Sequence, residues 1–292
     1  MNHHYKTTVL NNLRKPLRLP LFEKALRKVV HGKSSRSLIG RAVPNNYLYP
    51  KNSLRTFTHE DLVLELDIHD YVAHYLYFGF KEDGHRELFR LAKAGDIVLD
   101  VGTNVGYTLA KLAIAVGDAG SVYGFEPDRK NYEMSKKTIA LNNISNVKLE
   151  NIGFGHKVGN FVLVEDTPSN RGKNRITSTV LDRPSSIIDV LTLDHWAEKA
   201  EPTKINLIKI DVEGYELNVL KGGRNTLLKF RPTLFIELDD ENLKIQQQSA
   251  SELVKFIEEL GYEAYESTSK KVLKKETDFT NCHFDIIARP CA

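Results

Sequence analysis

The sequence predicts an open α/β fold, a mostly parallel sheet with helices on both faces, preceded by a basic helical and β extension. Three observations lead there. Short runs rich in Val, Ile and Leu recur at Asp96 to Val101, Ser121 to Phe125, Val147 to Asn151, Ile187 to Leu193, Ile205 to Ile210 and Pro232 to Glu237. Stretches of helical period separate most of them, which is the rhythm of βαβ units. Several runs end on an acid or break into glycine, and open α/β sheets bind ligands outside the carboxyl ends of their strands.

The chain has 292 residues, of which 41% are hydrophobic, enough for one large domain with appendages. The expected division is a basic extension over 1–61 and a domain over 62–292 with its core at 96–267. No run approaches the roughly 18 to 20 apolar residues that span a bilayer, and the N-terminus lacks a secretion signal's apolar core. A cytoplasmic location is expected. Cys282 and Cys291 have neither disulfide-framework nor zinc-ligand spacing. Net charge is +3, but residues 1–41 carry ten Lys or Arg and the single acid Glu23, so the remainder is acidic.

In chain order, an amphipathic basic helix is expected after Pro20. It suits peripheral contact with an anionic membrane at the inner face, a phosphate-bearing partner, or plain packing on its own domain. Leu62 to Ile68 alternates as a strand. Asp70 is placed to cap a helix through Phe78, and a second helix carries His85, Leu88, Phe89 and Ala92 to Gly95. After Phe125, Pro127 is read as the first helical residue, with Tyr132, Ser135 and Ile139 on one stripe. One helix is expected to carry Leu217, Leu220 and Leu227. Ser249 to Glu252 fits a capping box, Gly261 ends its helix, and strands at Tyr262 to Glu266 and His283 to Ala288 complete the sheet.

The stretch Asp96 to Gly106 is the core of the predicted site. Gly102 and Gly106 allow a sharp turn and close ligand approach, and Asp100 places a carboxylate at the strand end. The spacing is not the Gly-x-Gly-x-x-Gly of a pyrophosphate loop. A phosphate would meet Asp100 unfavourably, whereas a cationic cofactor without phosphate, such as S-adenosylmethionine, suits it. Glu126 ends the next strand, where an acid can bind both ribose hydroxyls. The plainer alternative is that Asp100 and Glu126 cap loops. Asn151 and Ile152, after the third strand, are placed to contact the adenine.

Asp211, Glu213 and Glu216 follow the most apolar strand, and Glu237 ends the next one. Helix-dipole stabilisation by Glu213 and Glu216 is an equally sound local role. Residues 166–186, with Arg171, Lys173, Arg175 and Arg183, read as either a disordered segment or, by preference, a lid suited to an anionic acceptor such as a phosphate-linked sugar. His195, beside Trp196, is read as a packed residue rather than a base.

Asp100-Val-Gly-Thr-Asn-Val-Gly-Tyr107, Phe125-Glu-Pro127, Leu191-Thr-Leu-Asp194, Ile208-Lys-Ile-Asp-Val-Glu-Gly-Tyr-Glu216 and Pro232 to Glu237 resemble the FkbM-type methyltransferases. Thr103 stands where that family usually has alanine. The resemblance implies a Rossmann-like class I methyltransferase fold with a seven-stranded sheet, S-adenosylmethionine as cofactor, and methylation of a sugar, glycan or small-molecule hydroxyl. On this reading Asp100, Gly102, Asn104, Gly106, Glu126, Asn151, Ile152 and Asp211 bind the cofactor, while Asp211, Glu213 and Glu237 are the candidate bases. Strand-end acids of this kind also suit Mg²⁺. The alternatives are a nucleic-acid methyltransferase, disfavoured by the acidic body and the missing Asn-Pro-Pro-Tyr type motif, and a noncatalytic, membrane-associated cofactor-binding module.

Overall fold

The computed structural model describes residues 11–81, 84–165, 167, 169–177 and 185–291. They form two compact units, residues 1–83 with 167–172, and residues 84–166 with 173–292. The first ten residues of the basic arm, and Arg183 of the expected lid, lie outside the described residues.

The smaller unit holds helix α1 (Pro20–Val30), the hairpin β1 (Leu54–His59) and β2 (Leu62–Asp67), and α2 (Tyr71–Phe78). The hairpin spans the expected division at residues 61 and 62, pairing Leu54 with Asp67 and His59 with Leu62. Alternation in β2 buries Leu62, Leu64 and Leu66. The Asp70 carboxylate caps α2 by accepting from the Val72 and Ala73 N–H groups, and Gly79 ends the helix in the left-handed region.

The larger unit begins with α3 (Gly84–Leu91) and is built on an eight-stranded sheet. Its strands in chain order are β3 (Ile97–Val101), β4 (Ser121–Phe125), β5 (Val147–Glu150), β10 (Leu207–Ile210), β11 (Thr233–Asp239), β12 (Tyr262–Glu266), β13 (Val272–Leu273) and β14 (His283–Pro290). The spatial order is β13-β12-β14-β11-β10-β3-β4-β5. Seven strands form the expected sheet, and the two-residue β13 adds an eighth at the edge. Pairing is parallel from β11 through β10, β3 and β4 to β5, whereas β14 runs antiparallel between β11 and β12. The chain winds outward from β3 to β5 and then returns to β10 on the other side of β3. The switch point of the sheet therefore lies between β3 and β10.

Strand alternation divides the core in two. Val98, Val122, Leu207 and Phe235 face Leu109, Leu112 and Val116 of α4 (Tyr107–Val116) and Leu88 of α3. Leu99, Phe125, Ile208, Ile210, Leu234 and Ile236 face the other layer, made of α6 (Leu193–Ala200), α7 (Glu216–Gly222), α8 (Arg224–Phe230), α9 (Asp240–Ile245) and α10 (Ala250–Glu259). Each fully buried Leu, Ile or Phe contributes about 1.5–3 kcal/mol, so these two layers supply the main driving force.

Three local expectations are corrected. Helix α5 (Arg129–Leu141) starts after Pro127, because the Asp128 carboxylate accepts from the Lys130 and Asn131 N–H groups and takes the cap position itself. The single helix expected over Leu217 to Leu227 is two helices. They break at Gly222 and Gly223, where a β-carbon on Gly222 would stand 2.0 Å from the Gly155 carbonyl oxygen. Glu237 lies within β11, two residues short of its end, opposite Asp285.

A second sheet in this unit has the order β6-β9-β7-β8, from β6 (Gly153–Phe154), β7 (Gly159–Val164), β8 (Arg175–Thr177) and β9 (Ser185–Leu191). Its Phe161, Leu163, Ile176, Ile188 and Val190 pack with Tyr215 in a separate apolar cluster.

Candidate active site

The loops after β3 and β10 meet at the switch point. Gly102 has φ +84°, and a β-carbon there would lie 2.0 Å from the Asp211 carbonyl oxygen, so only glycine fits. Gly106, φ +83°, opens α4 and leaves no room for a side chain against the Ser135 backbone, 2.8 Å away. Ser135 Oγ donates to the Asn104 carbonyl at 2.7 Å and Thr138 Oγ1 to that of Val105 at 2.9 Å. Helix α5 thus holds the glycine loop from behind.

Asp100 is completely buried. Its Oδ1 lies 3.3 Å from Lys209 Nζ, and its Oδ2 accepts from Thr108 Oγ1 at 2.8 Å. The same ammonium donates to the Gly102 carbonyl at 2.7 Å and sits 3.4 Å from Asp211 Oδ2. One cation therefore ties the ends of β3 and β10 together. Burial pushes the Asp100 carboxyl up while Lys209 opposes the shift, and Asp211 and Asp100 hold Lys209 above its ordinary value despite its own burial. Sequence reasoning did not single out Lys209. The signal was a lysine inside the four-residue apolar run Leu207–Ile210, where an unpaired charge is not tolerated.

Glu126 stands at the end of β4. Its Oε2 accepts from the Asn104 N–H at 2.7 Å and its Oε1 from the Asp128 N–H at 2.9 Å. Burial raises its pKa to about 8, against those two hydrogen bonds. Asn104 is in the left-handed region at φ 52°, and its Oδ1 is buried without a hydrogen-bond partner. Asn151 Nδ2 donates to the carbonyls of Glu126 and Pro127, at 2.7 and 3.0 Å, and so fixes the turn that carries Glu126. Ile152 is half-buried against the core that includes Phe125, Phe154 and Trp196.

Asp211, Glu213 and Glu237 come together, each offering a carboxylate oxygen within 4.8 Å of the others. Glu213 occupies the left-handed region at φ 53°, and its Oε2 accepts from Asn242 Nδ2 at 2.9 Å. Burial, then the charges of Asp211 and Glu216, lift Glu213 to about 8. Glu237 is raised well above the ordinary carboxylate value by burial and then by Asp211, and its Oε2 has no hydrogen-bond partner. Glu216 plays the local role considered for both glutamates. Its Oε1 accepts from the N–H groups of Val212 and Gly214, both at 3.0 Å, at the start of α7. Glu213 does not; it faces the other two acids.

Strand β8 is fastened at both ends. Asn174 Nδ2 donates to Asp128 Oδ2 at 3.0 Å, and Gln246 Nε2 donates to the Ile176 carbonyl at 2.8 Å. Asp128 follows β4 and Gln246 follows β11, with β3 and β10 between them in the sheet. Lys173 and Arg175, from the segment expected to form a lid, lie near enough to oppose the rise at Glu213. His195 belongs to the first turn of α6, its N–H accepted by Thr192 Oγ1 at 3.1 Å, and the adjoining Trp196 donates to Glu150.

A family model described as the methyltransferase FkbM domain matches residues 100–264, which span the glycine loop, the acids and both strands that carry them. The chain belongs to the FkbM methyltransferase family. Among similar proteins, the hexuronic acid methyltransferase AglP of Haloferax volcanii is 26% identical over 147 residues, 50% of this chain and 58% of AglP. The 2-O-methyltransferase NoeI of Sinorhizobium fredii is 26% identical over 177 residues, 54% of this chain and 70% of NoeI. An FkbM methyltransferase structure from Methylobacillus flagellatus shares 19% identity with a TM-score of 0.41, covering 66% of this chain and 43% of that one. A SAM-dependent O-methyltransferase structure from Thermotoga maritima shares 15% identity with a TM-score of 0.40, covering 71% and 63%. This FkbM-family chain therefore spans little more than half the length of AglP.

Proposed function

We propose that this chain is an S-adenosylmethionine-dependent O-methyltransferase acting on a hydroxyl of a sugar, glycan or related small molecule. The observation that carries the reading is the gathering of Asp211, Glu213 and Glu237 beside the glycine loop at the switch point of the sheet. The names of AglP and NoeI support a sugar-class acceptor and an oxygen target.

The residues present fit the cofactor. Gly102 and Gly106 clear the loop of side chains, Asn104 Oδ1 is buried and unpartnered, and Glu126 ends β4 with lone pairs left on both oxygens. Glu126 would hold the ribose hydroxyls, Asn104 and the glycine loop the amino-acid end, and Ile152 the adenine. Asn151 supports the Glu126 turn. The paired Asp100 and Lys209 position the loop from beneath rather than meeting the ligand. When bound, the cofactor supplies an electrophilic methyl group on a sulfonium.

The chain's own task is to hold the acceptor oxygen in line and remove its proton. An aliphatic hydroxyl is a poor nucleophile until that proton leaves. Three carboxylates so close together do not all ionise readily, and Glu213, raised to about 8, is matched to accept a proton near neutral pH. The three oxygens also form a donor set suited to a hard divalent cation such as Mg²⁺, which gives a second reading in which the cation lowers the hydroxyl pKa.

Isothermal titration with S-adenosylmethionine tests the cofactor half. Wild type binds, and Glu126→Ala weakens binding by about 10- to 100-fold, the loss expected for a pair of ribose hydrogen bonds at a buried carboxyl. No binding by wild type sinks the assignment. Turnover to S-adenosylhomocysteine with a glycan extract, followed by mass spectrometry of the acceptor, tests the rest and separates an enzyme from a noncatalytic module. The same assay with a chelator decides between the two readings of the acids.

A further inference from the structure

Helix α1 buries its acid and leaves much of its apolar surface outside. Its one acid, Glu23, is 2% exposed, whereas Leu21 is 78%, Phe22 51% and Val29 50% exposed. The buried side combines that acid with Val30, fully buried, and with the half-buried Leu26 and Arg27. Glu23 takes a fork of two hydrogen bonds from Arg55 and a third from Tyr77 Oη at 2.8 Å. Arg27 donates to the Tyr77 and Thr58 carbonyls and lies over the Phe57 and Tyr77 rings. These contacts fix the helix's rotation, because turning Glu23 away would strip the Arg55 guanidinium of its carboxylate and turning Arg27 away would take a donor from the Tyr77 and Thr58 carbonyls.

The outward face follows from that rotation. Leu21, Ala25 and Val29 succeed one another at four-residue steps, with Phe22 alongside, and form one apolar stripe. Lys24 and Lys28 are exposed beside it. With Glu23 buried, residues 11–41 present no exposed acid, while Lys15, Lys24, Lys28, Lys33, Arg36 and Arg41 are all exposed. Leu13 and Leu38 add exposed apolar side chains on the same segment.

We propose that α1 and its flanks seat this chain on an anionic lipid surface, the helix lying in the plane of the interface with its Leu21, Phe22, Val29 stripe inserted. Long lysine stems beside such a stripe keep their ammonium groups among the headgroups. A second copy of the chain is a poor occupant, since the same face would bring cation against cation. Nucleic acid would engage the lysines but leave the stripe uncovered. No helix among the described residues is long and apolar enough to cross a membrane, so the contact is peripheral.

Sedimentation of the full chain with vesicles tests this independently of any methyl transfer. The chain pellets with phosphatidylcholine vesicles containing roughly a quarter phosphatidylglycerol and stays in solution with phosphatidylcholine alone. Leu21→Ser and Phe22→Ser each lower partitioning about tenfold. Lys24→Glu and Lys28→Glu each lower it about fivefold or more. A Phe22→Trp variant, adding a second indole to the buried Trp196, gives a blue-shifted emission on the anionic vesicles. Absence of vesicle binding overturns the proposal, as does binding unaffected by the two serine variants. A dimer by light scattering that Phe22→Ser abolishes, or RNA retention that Phe22→Ser leaves intact without vesicle binding, assigns the face to another occupant and overturns it too.

Discussion

Lys209 is where single-residue chemistry has the largest consequence for the site. Its ammonium is buried, faces two carboxylates and a carbonyl, and has no route to water that would soften the loss of a partner. Lys209→Met leaves Asp100 fully buried without the cation that offsets its desolvation. Urea unfolding should show a loss of about 3–5 kcal/mol, and adding Asp100→Asn should restore part of it. Glu213 is the residue whose titration is expected to appear in catalysis. As the proton acceptor it must be ionised, so the rate should climb as pH rises through about 8. Glu213→Gln should flatten that profile and lower the rate by about 10²- to 10⁴-fold, measured by S-adenosylhomocysteine formation.

At the scale of elements, the contact between the β3 and β10 loops is the tightest constraint. Gly102→Ala puts a methyl group against the Asp211 carbonyl at a φ that disfavours it, and neither partner is a flexible side-chain end. A destabilisation of about 2 kcal/mol or more is expected in thermal or urea melts, together with weakened cofactor binding. The strands of the main sheet and the Asp70, Ser249 and Gly261 boundaries were legible in the sequence because each rests on a local signal, a period or a cap. The acids were legible as strand-end carboxylates, although no periodicity says that Asp211, Glu213 and Glu237 converge to within 4.8 Å. That convergence depends on the parallel register of β10 with β11. Of the second sheet only β9 was legible, as the Ile187 to Leu193 run, and its separate pairing was missed because its strands meet across long sequence separations and β8 has only three residues. Lys209 was missed because a strand's period does not reveal which partner a buried charge will find.

For the molecule as a whole, the carboxylates of the larger unit set a pH dependence of stability. Glu126 and Glu213, both lifted to about 8, and Glu216, lifted to about 7, bind protons more tightly folded than unfolded. Their contribution is complete below the ordinary carboxylate value and is lost as pH rises through about 7 to 8. The ligand-free protein should therefore melt at progressively lower temperature from about pH 5 to pH 9, and Glu213→Gln should narrow that decline, raising the melting temperature at pH 9 relative to wild type.

The two ties on β8 have a bearing on timing. Asp128, which receives the Asn174 amide, also donates its backbone N–H to Glu126, so the outer strand and the ribose acid share one anchor. Whatever steadies Glu126 therefore steadies β8 through Asp128. Hydrogen–deuterium exchange at residues 174–177 should slow when S-adenosylhomocysteine is present. In Asn174→Ala that slowing should disappear, and turnover should rise if release of the spent cofactor is the slow step.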